Sequence, residues 1–437
     1  MELPLLWRVE SFPPNPIVSA ANPALESVEF EAPSPDRLGL GPLPAVAAVS
    51  LCGVFAFLNL YATQPMLPLF AKIFHASKAA VGLTVSVSTL GVALSAPIFG
   101  TIAERLSRKR VIVASIAVLS VPTLLAATSP GLHALIFWRF LQGLILPGIF
   151  AITITYVGEE WPVDAVALVM SLYVSGTALG GFAGRLISGL AAEHFGWHWS
   201  FVFLGGLTLP GAWAVARWLP HETRRTHAHS ADGLATQLRS MLTHFRNPRL
   251  LAAFAVGFGV LFTLVATFTY ITFYLAEPPF HLSTAALSYL FAIYLVGLLV
   301  TPLGGYLVTH IGLRKGIACA IGLCIAGELL TLSHSLWIVV IAGLGLVCTG
   351  VFIAQATATS FLRVAAPAGQ RASAAGLYLS CYYFGGTVAG VVPSYTWSLG
   401  KWPACVGFVT VVLLVILAVA LAGWREPAAQ HSGTVRQ

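Results

Sequence analysis

Charge is what this sequence has least of. Asp, Glu, Lys and Arg together make up 9% of its 437 residues, against about 25% in an ordinary soluble domain. So few ions cannot solvate a water-facing surface of this size, which excludes a soluble enzyme and a nucleic-acid-binding domain. The 23 basic residues outnumber the 16 acids, but they fall singly or in short groups between apolar runs, and no nucleic-acid partner is expected. Cysteine occurs six times, always inside apolar segments and never as C-x-x-C. That spacing argues against a disulfide framework and against zinc, so no metal is expected. The chain also lacks G-x-S-x-G, H-E-x-x-H, paired acids within its apolar runs, and a nucleotide-binding P-loop. A membrane hydrolase or acyl transferase is therefore unsupported, and so is direct drive by ATP. Neither a catalytic residue nor a cofactor is expected.

What is present is apolar: 57% of residues are hydrophobic and the mean hydropathy is +0.84. A helix needs roughly 20 such residues to cross a bilayer, and runs of that length recur from residue 43 onward. We place twelve spans, near 43–63, 80–100, 111–128, 132–156, 165–190, 199–218, 250–275, 285–308, 315–333, 336–362, 371–395 and 403–424. The runs are continuous rather than alternating, as helices require and barrel strands do not. Residues 1–42 are proline-rich with six acids and are expected to be a disordered tail. They lack the basic start and short apolar core of a signal peptide, so the first span is expected to be retained.

Arginine and lysine set the orientation. Arg105, Arg108, Lys109, Arg110, Arg217, Arg224, Arg225, Arg239, Arg246, Arg249, Arg314, Lys315, Arg363, Arg371 and Arg425 fall on one set of loops; the other set carries little beyond Lys72, Lys78 and Lys401. The basic set, both termini and the tail 425–437 are expected in the cytoplasm. The longest loop, 219–249, is a cytoplasmic linker between residues 43–218 and 250–424, six spans each.

The two halves match at a single offset of 205 residues. Pro97 and Gly100 map onto Pro302 and Gly305, Pro162 onto Pro367, and Trp197 onto Trp402. Leu172, Tyr173, Ser175, Gly180 and Gly181 map onto Leu377, Tyr378, Ser380, Gly385 and Gly386. Parallel repeats of this kind, related by an axis along the membrane normal, mark a large transporter class. The expected architecture is all-α and integral to the membrane, with 12 transmembrane helices in two pseudo-symmetric six-helix bundles around a shared cavity.

Several motifs carry more detail. The loop after span 2 reads Gly100-Thr-Ile-Ala-Glu104-Arg105-Leu-Ser107-Arg108-Lys109. It resembles the major facilitator signature G-x-x-x-D-R-x-G-R-K, with Glu for Asp and Ser for the second Gly. An acid beside clustered cations at the end of a closely packed helix suits a breakable ion-pair latch between halves. Glu159 and Glu160 cap the cytoplasmic end of span 4, where one of them could pair with Arg108. Span 4 carries Arg139-Phe-Leu-Gln142-Gly143, similar to the R-x-x-Q-G motif of proton-coupled facilitators; Arg139 and Gln142 share a helix face. Span 5 carries Gly176, Gly180, Gly181 and Gly184, a small-residue pattern for close helix packing, echoed by Gly385 and Gly386. Arg185 follows, where the antiporter motif has its proline, ~30 Å along the span, a depth compatible with the outer interface.

Together with Tyr61–Pro68, Tyr156–Glu160, Leu219–Thr223 and Leu377–Tyr383, these motifs resemble the YnfM-type, acriflavine-sensitivity branch of the major facilitator superfamily. The resemblance implies an inner-membrane, proton-driven permease exporting a drug-like molecule or metabolite. It also implies a cavity lined by spans 1, 4, 7 and 10, aided by 2, 5, 8 and 11. The polar residues then expected at the cavity are Asn59, Thr63, Arg139, Thr263, Thr267, Tyr270, Gln355, Tyr378 and Tyr382; Thr263, Thr267 and Tyr270 form one helical stripe of span 7 with Tyr274. Glu104, Arg105, Arg108, Arg139, Gln142, Glu159 and Glu160, with Gly100, are the coupling and gating candidates. Glu328 lies in span 9, a peripheral position. The expected partners are a small-molecule substrate and the lipid bilayer, with the chain a monomer and the proton gradient its energy source. Uptake of a sugar or another solute, and a sensor that does not transport, are the alternatives.

Overall fold

A computed structural model describes residues 42–222, 243–367 and 370–424, without the side chains of 100–105, 302, 307 and 372. The expected tails and much of the linker lie outside these residues. Among the described residues the chain is helical and has no strand.

The first half comprises α1 (Leu43–Leu60), the short α2 (Leu67–Ile73), α3 (Lys78–Arg105), α4 (Arg108–Ala127), α5 (Leu132–Ile145), α6 (Pro147–Glu160), α7 (Val163–Phe195) and α8 (Trp197–Trp218). The second comprises α9 (Pro248–Ala276), α10 (Thr284–Leu290), α11 (Val296–Ile311), α12 (Leu313–Leu330), α13 (Gly345–Ala365), α14 (Arg371–Val391) and α15 (Pro393–Gly423). Breaks follow local chemistry. Pro65 and Pro68 tighten the end of the first span into a 3-10 turn, and Pro147 opens α6 within the fourth span; proline cannot donate the interior helical bond. Gly196 and Gly312 turn the chain with φ of 92° and 84°, a region glycine enters without steric cost. Ser107 occupies the repeat position of Gly312, yet holds φ of −61°. Its departure from the signature glycine is therefore unstrained.

Among the described residues, ten stretches are long and apolar enough to cross a membrane. Two further helices, α12 and α14, pack among them with 18 and 21 residues. The described helices are consistent with twelve spans.

Small residues set the closest approaches. A Cβ on Gly176, Gly180 or Gly184 would collide with the carbonyls of Ser50, Val54 and Leu58 on α1. One on Gly385 would collide with the Phe258 carbonyl of α9. Thus α7 lies on α1 as α14 lies on α9, and the two pairings occupy equivalent repeat positions. Across the halves, α3 packs on α14 and α7 on α10.

Candidate functional site

Arg139 is wholly buried. Its Nε donates to the Thr84 carbonyl at 3.0 Å and Nη1 to the Asn59 carbonyl at 2.7 Å. Further bonds reach Gln142 Oε1 and the Leu60 carbonyl. Asn59 and Leu60 are the last residues of α1, whose carbonyls lose their helical partners where the helix breaks. A cation also suits the negative end of a helix dipole. Gln142 extends the network to Thr123 (3.1 Å), Thr123 to Asn59 Oδ1 (3.4 Å), and Asn59 to Thr208 (3.3 Å). Arg139, Gln142 and Asn59 thus tie α1, α3, α4, α5 and α8 together, and in this structure they face that knot rather than open space.

Between the halves lies a cavity of about 170 Å³. Its first-half wall includes Phe57, Tyr61, Gly181 and Arg185; its second-half wall includes Tyr294, Phe352, Tyr382 and Tyr383. Arg185 is 2% exposed. Its Nε donates to Gln64 Oε1 at 2.8 Å and Nη1 to the Gly181 carbonyl at 2.6 Å. The guanidinium carbon sits 4.8 Å from the Tyr61 and Phe291 ring centres and 4.6 Å from that of Tyr294, within cation–π range. The span depth is compatible with the outer interface; the structure places Arg185 at the cavity wall. The signal for this was present in the sequence, because an arginine inside a glycine-rich span is costly unless it faces protein or water.

The expected α9 stripe turns away from the cavity. Thr263 lines a small void among α9, α12, α13 and α15, and Thr267 donates to Glu328. Tyr270 donates to the Gly390 carbonyl at 3.0 Å, and Tyr274 stacks on Trp402. Leu261 and Leu264, on another face of α9, meet the cavity instead. The polar face points into the second half because the buried Glu328 and backbone carbonyls there supply partners that an apolar neighbour cannot. Tyr378 donates to Gln355 at 3.2 Å and packs beneath Gly257, so of that expected group Tyr382 alone lines the central cavity. The Thr63 hydroxyl is buried without a partner. Glu328 is wholly buried, and its Oε2 has no hydrogen bond.

The two ends of the molecule differ. At the end away from the basic loops, contacts cross the halves: Lys78 to Glu277 at 3.3 Å, Gln64 to Thr269 at 3.2 Å, and Thr89 to Thr387 at 3.2 Å. At the basic end, the following contacts among the described residues each stay within one half. Arg108 pairs with Glu159 at 2.7 Å, and Glu222 accepts from the Lys109 amide at 2.8 Å. His244 Nε2 lies 2.8 Å from Ser373 Oγ. The Arg108–Glu159 pair joins α4 to α6 within the first half; the acid of the expected latch between the halves, Glu104, has no described side chain. Among the described residues an ion pair that bridges the halves, Lys78–Glu277, lies at the opposite end. The side chains of Glu104 and Arg105, and Gly100 beside them, lie outside the described side chains.

The model for the Major Facilitator Superfamily matches residues 49–293 and 278–436. This chain belongs to the major facilitator superfamily. Facilitators are membrane transporters rather than enzymes, and this one is a multi-pass membrane protein. It is similar to the MFS-type transporter YybF of Bacillus subtilis, 34% identical over 368 residues, 84% of this chain and 89% of the relative. It is 32% identical to the inner membrane transport protein YnfM of Escherichia coli over 374 residues, 85% of this chain and 88% of the relative. Among solved structures, the nucleoside transporter NupG superposes with a TM-score of 0.72 at 15% identity, covering 87% of this chain and all of NupG. A bacterial homologue of the lysosomal transporter Spinster, inward-facing and occupied, gives 0.69 at 15%, covering 88% and 97%. At that identity the likeness concerns the facilitator fold alone.

Proposed function

We propose that this facilitator is a monomeric secondary transporter of a small organic molecule, working by alternating access and driven by protons, with no cofactor. The observation that carries this reading is the central cavity walled by both halves, with the polar contacts Lys78–Glu277 and Gln64–Thr269 crossing the halves at the end away from the basic loops. Rocking the halves about Gln64 and Thr269 would break the Lys78–Glu277 and Thr89–Thr387 contacts and expose the cavity on that side. Following the charge bias, the basic end and both termini are assigned to the cytoplasm, and the inner membrane is the expected site. Export is the direction that the resemblance to the acriflavine-sensitivity branch implies.

Proton coupling needs a group that titrates as its surroundings change. We assign that role to Glu328, a buried acid bonded through Thr267 to α9. Cells lacking the chain should become sensitive to its substrate. Vesicles loaded with that compound should release it faster under an imposed pH gradient, and Glu328→Gln should abolish this acceleration while leaving substrate exchange. Flux indifferent to the gradient in the wild type would reduce the mechanism to facilitated diffusion.

A further inference from the structure

We propose that the central cavity is an anion site, in which Arg185 and the surrounding phenols bind the carboxylate of a single-ring organic acid. The proposal rests on the transport reading above, but not on its direction or its coupling ion.

The argument begins with the unmatched charge. No carboxylate is paired with Arg185 among the described residues. A buried guanidinium without a counter-ion is expensive in a membrane, and three aromatic faces offset only part of that cost. Its Nε and one N–H of Nη1 are occupied by Gln64 and Gly181. Nη2 forms no hydrogen bond within the described protein, so the planar fork keeps free donors. Such a fork matches a carboxylate in both geometry and charge.

The rest of the wall has the same polarity. The hydroxyls of Tyr61, Tyr294, Tyr382 and Tyr383 likewise form no hydrogen bond among the described residues, and all four residues line the cavity. A phenol can donate to an anion. No acid lines this cavity among the described residues, and the positive charge of Arg185 opposes an organic cation. The remaining surface is aromatic and aliphatic, suited to a ring. The volume admits a ring: a cavity of about 150 Å³ accepts benzene, and this one measures about 170 Å³.

Three probes of one shape test the proposal: benzoate, benzamide and benzylammonium. Each is titrated onto the purified full chain by calorimetry, and [14C]benzoate exchange is followed in proteoliposomes. Wild type should bind benzoate at least about tenfold more tightly than either other probe, the scale of one charge-assisted hydrogen bond. Arg185→Gln should remove that preference, and Arg185→Lys should restore part of it by keeping charge without the fork. The preference among probes is read in the wild type, so it survives a failure of the variants to fold. Equal or tighter binding of benzamide or benzylammonium, no benzoate binding, or benzoate binding unchanged in folded Arg185→Gln would each overturn the proposal. Transport of another compound alongside such a result would leave the transport reading standing. A chain that moves no compound in any gradient would sink that reading instead.

Discussion

Gln64 donates to Thr269 at 3.2 Å, and the two residues are 205 apart, the offset that superimposes the halves of the sequence. Two repeat-equivalent positions can touch only where the axis relating them passes, so this bond marks the pseudo-twofold axis. The same Gln64 accepts from Arg185. One amide therefore joins the axis to the cavity cation. Gln64→Ala should lower thermal stability by about 1–3 kcal/mol, the cost of leaving buried donors unmatched. Gln64→Glu should leave stability nearer wild type, because it gives Arg185 a partner, and should impair transport by cancelling the free charge. Melting curves and vesicle flux separate the two effects.

Arg139 should act on folding before it acts on transport. Arg139→Ala strips donors from three backbone carbonyls and from Gln142, and a loss of more than about 3 kcal/mol is expected. The measurement is the yield of monodisperse protein. Full yield with no flux would move Arg139 from the knot to the transport mechanism.

Closure at the end opposite the basic loops can be trapped. Thr89 and Thr387 face each other from α3 and α14, and short side chains at this spacing lie within reach of a disulfide. Thr89→Cys with Thr387→Cys, in a background freed of the native cysteines, should stop transport on oxidation and recover on reduction. Continued flux in the cross-linked protein would show that these helices need not part.

The glycine contacts predict a graded series. Gly184→Ala places a methyl against the Leu58 carbonyl and should cost about 1–3 kcal/mol. Gly206→Ala, which meets nothing within 4 Å, should be neutral or stabilising by up to about 1 kcal/mol, since alanine is the better helix former. Thermal shifts of the two purified variants check the ordering.

His244 gives the second half a pH dependence. It is 3% exposed, and burial pushes its imidazole below the ordinary value. The unfolded chain then binds the proton more readily, so stability rises with pH through this window. His244 costs nothing above about pH 6.5, and its penalty grows as pH falls from there toward the lowered folded value. His244→Gln should flatten the melting temperature between about pH 7 and 5.

The sequence by itself determined what repeats along the chain. Scarce charge and continuous apolar runs require membrane helices, because lipid leaves the backbone no other way to satisfy its polar groups. The 205-residue offset, the Gly176–Gly184 spacing and the basic loops were legible because each is a local or periodic signal. The facing of each helix was not. The stripe of Thr263, Thr267, Tyr270 and Tyr274 is periodic, but periodicity alone does not say which neighbour it meets. Glu328 and the Gly390 carbonyl decide that, from positions distant in sequence. Only the tertiary structure brings Arg185 to Tyr294 and Tyr382 across the halves, and turns Arg139 toward the broken end of α1. A buried charge takes the partner that packing supplies, and packing is a property of the assembled helices.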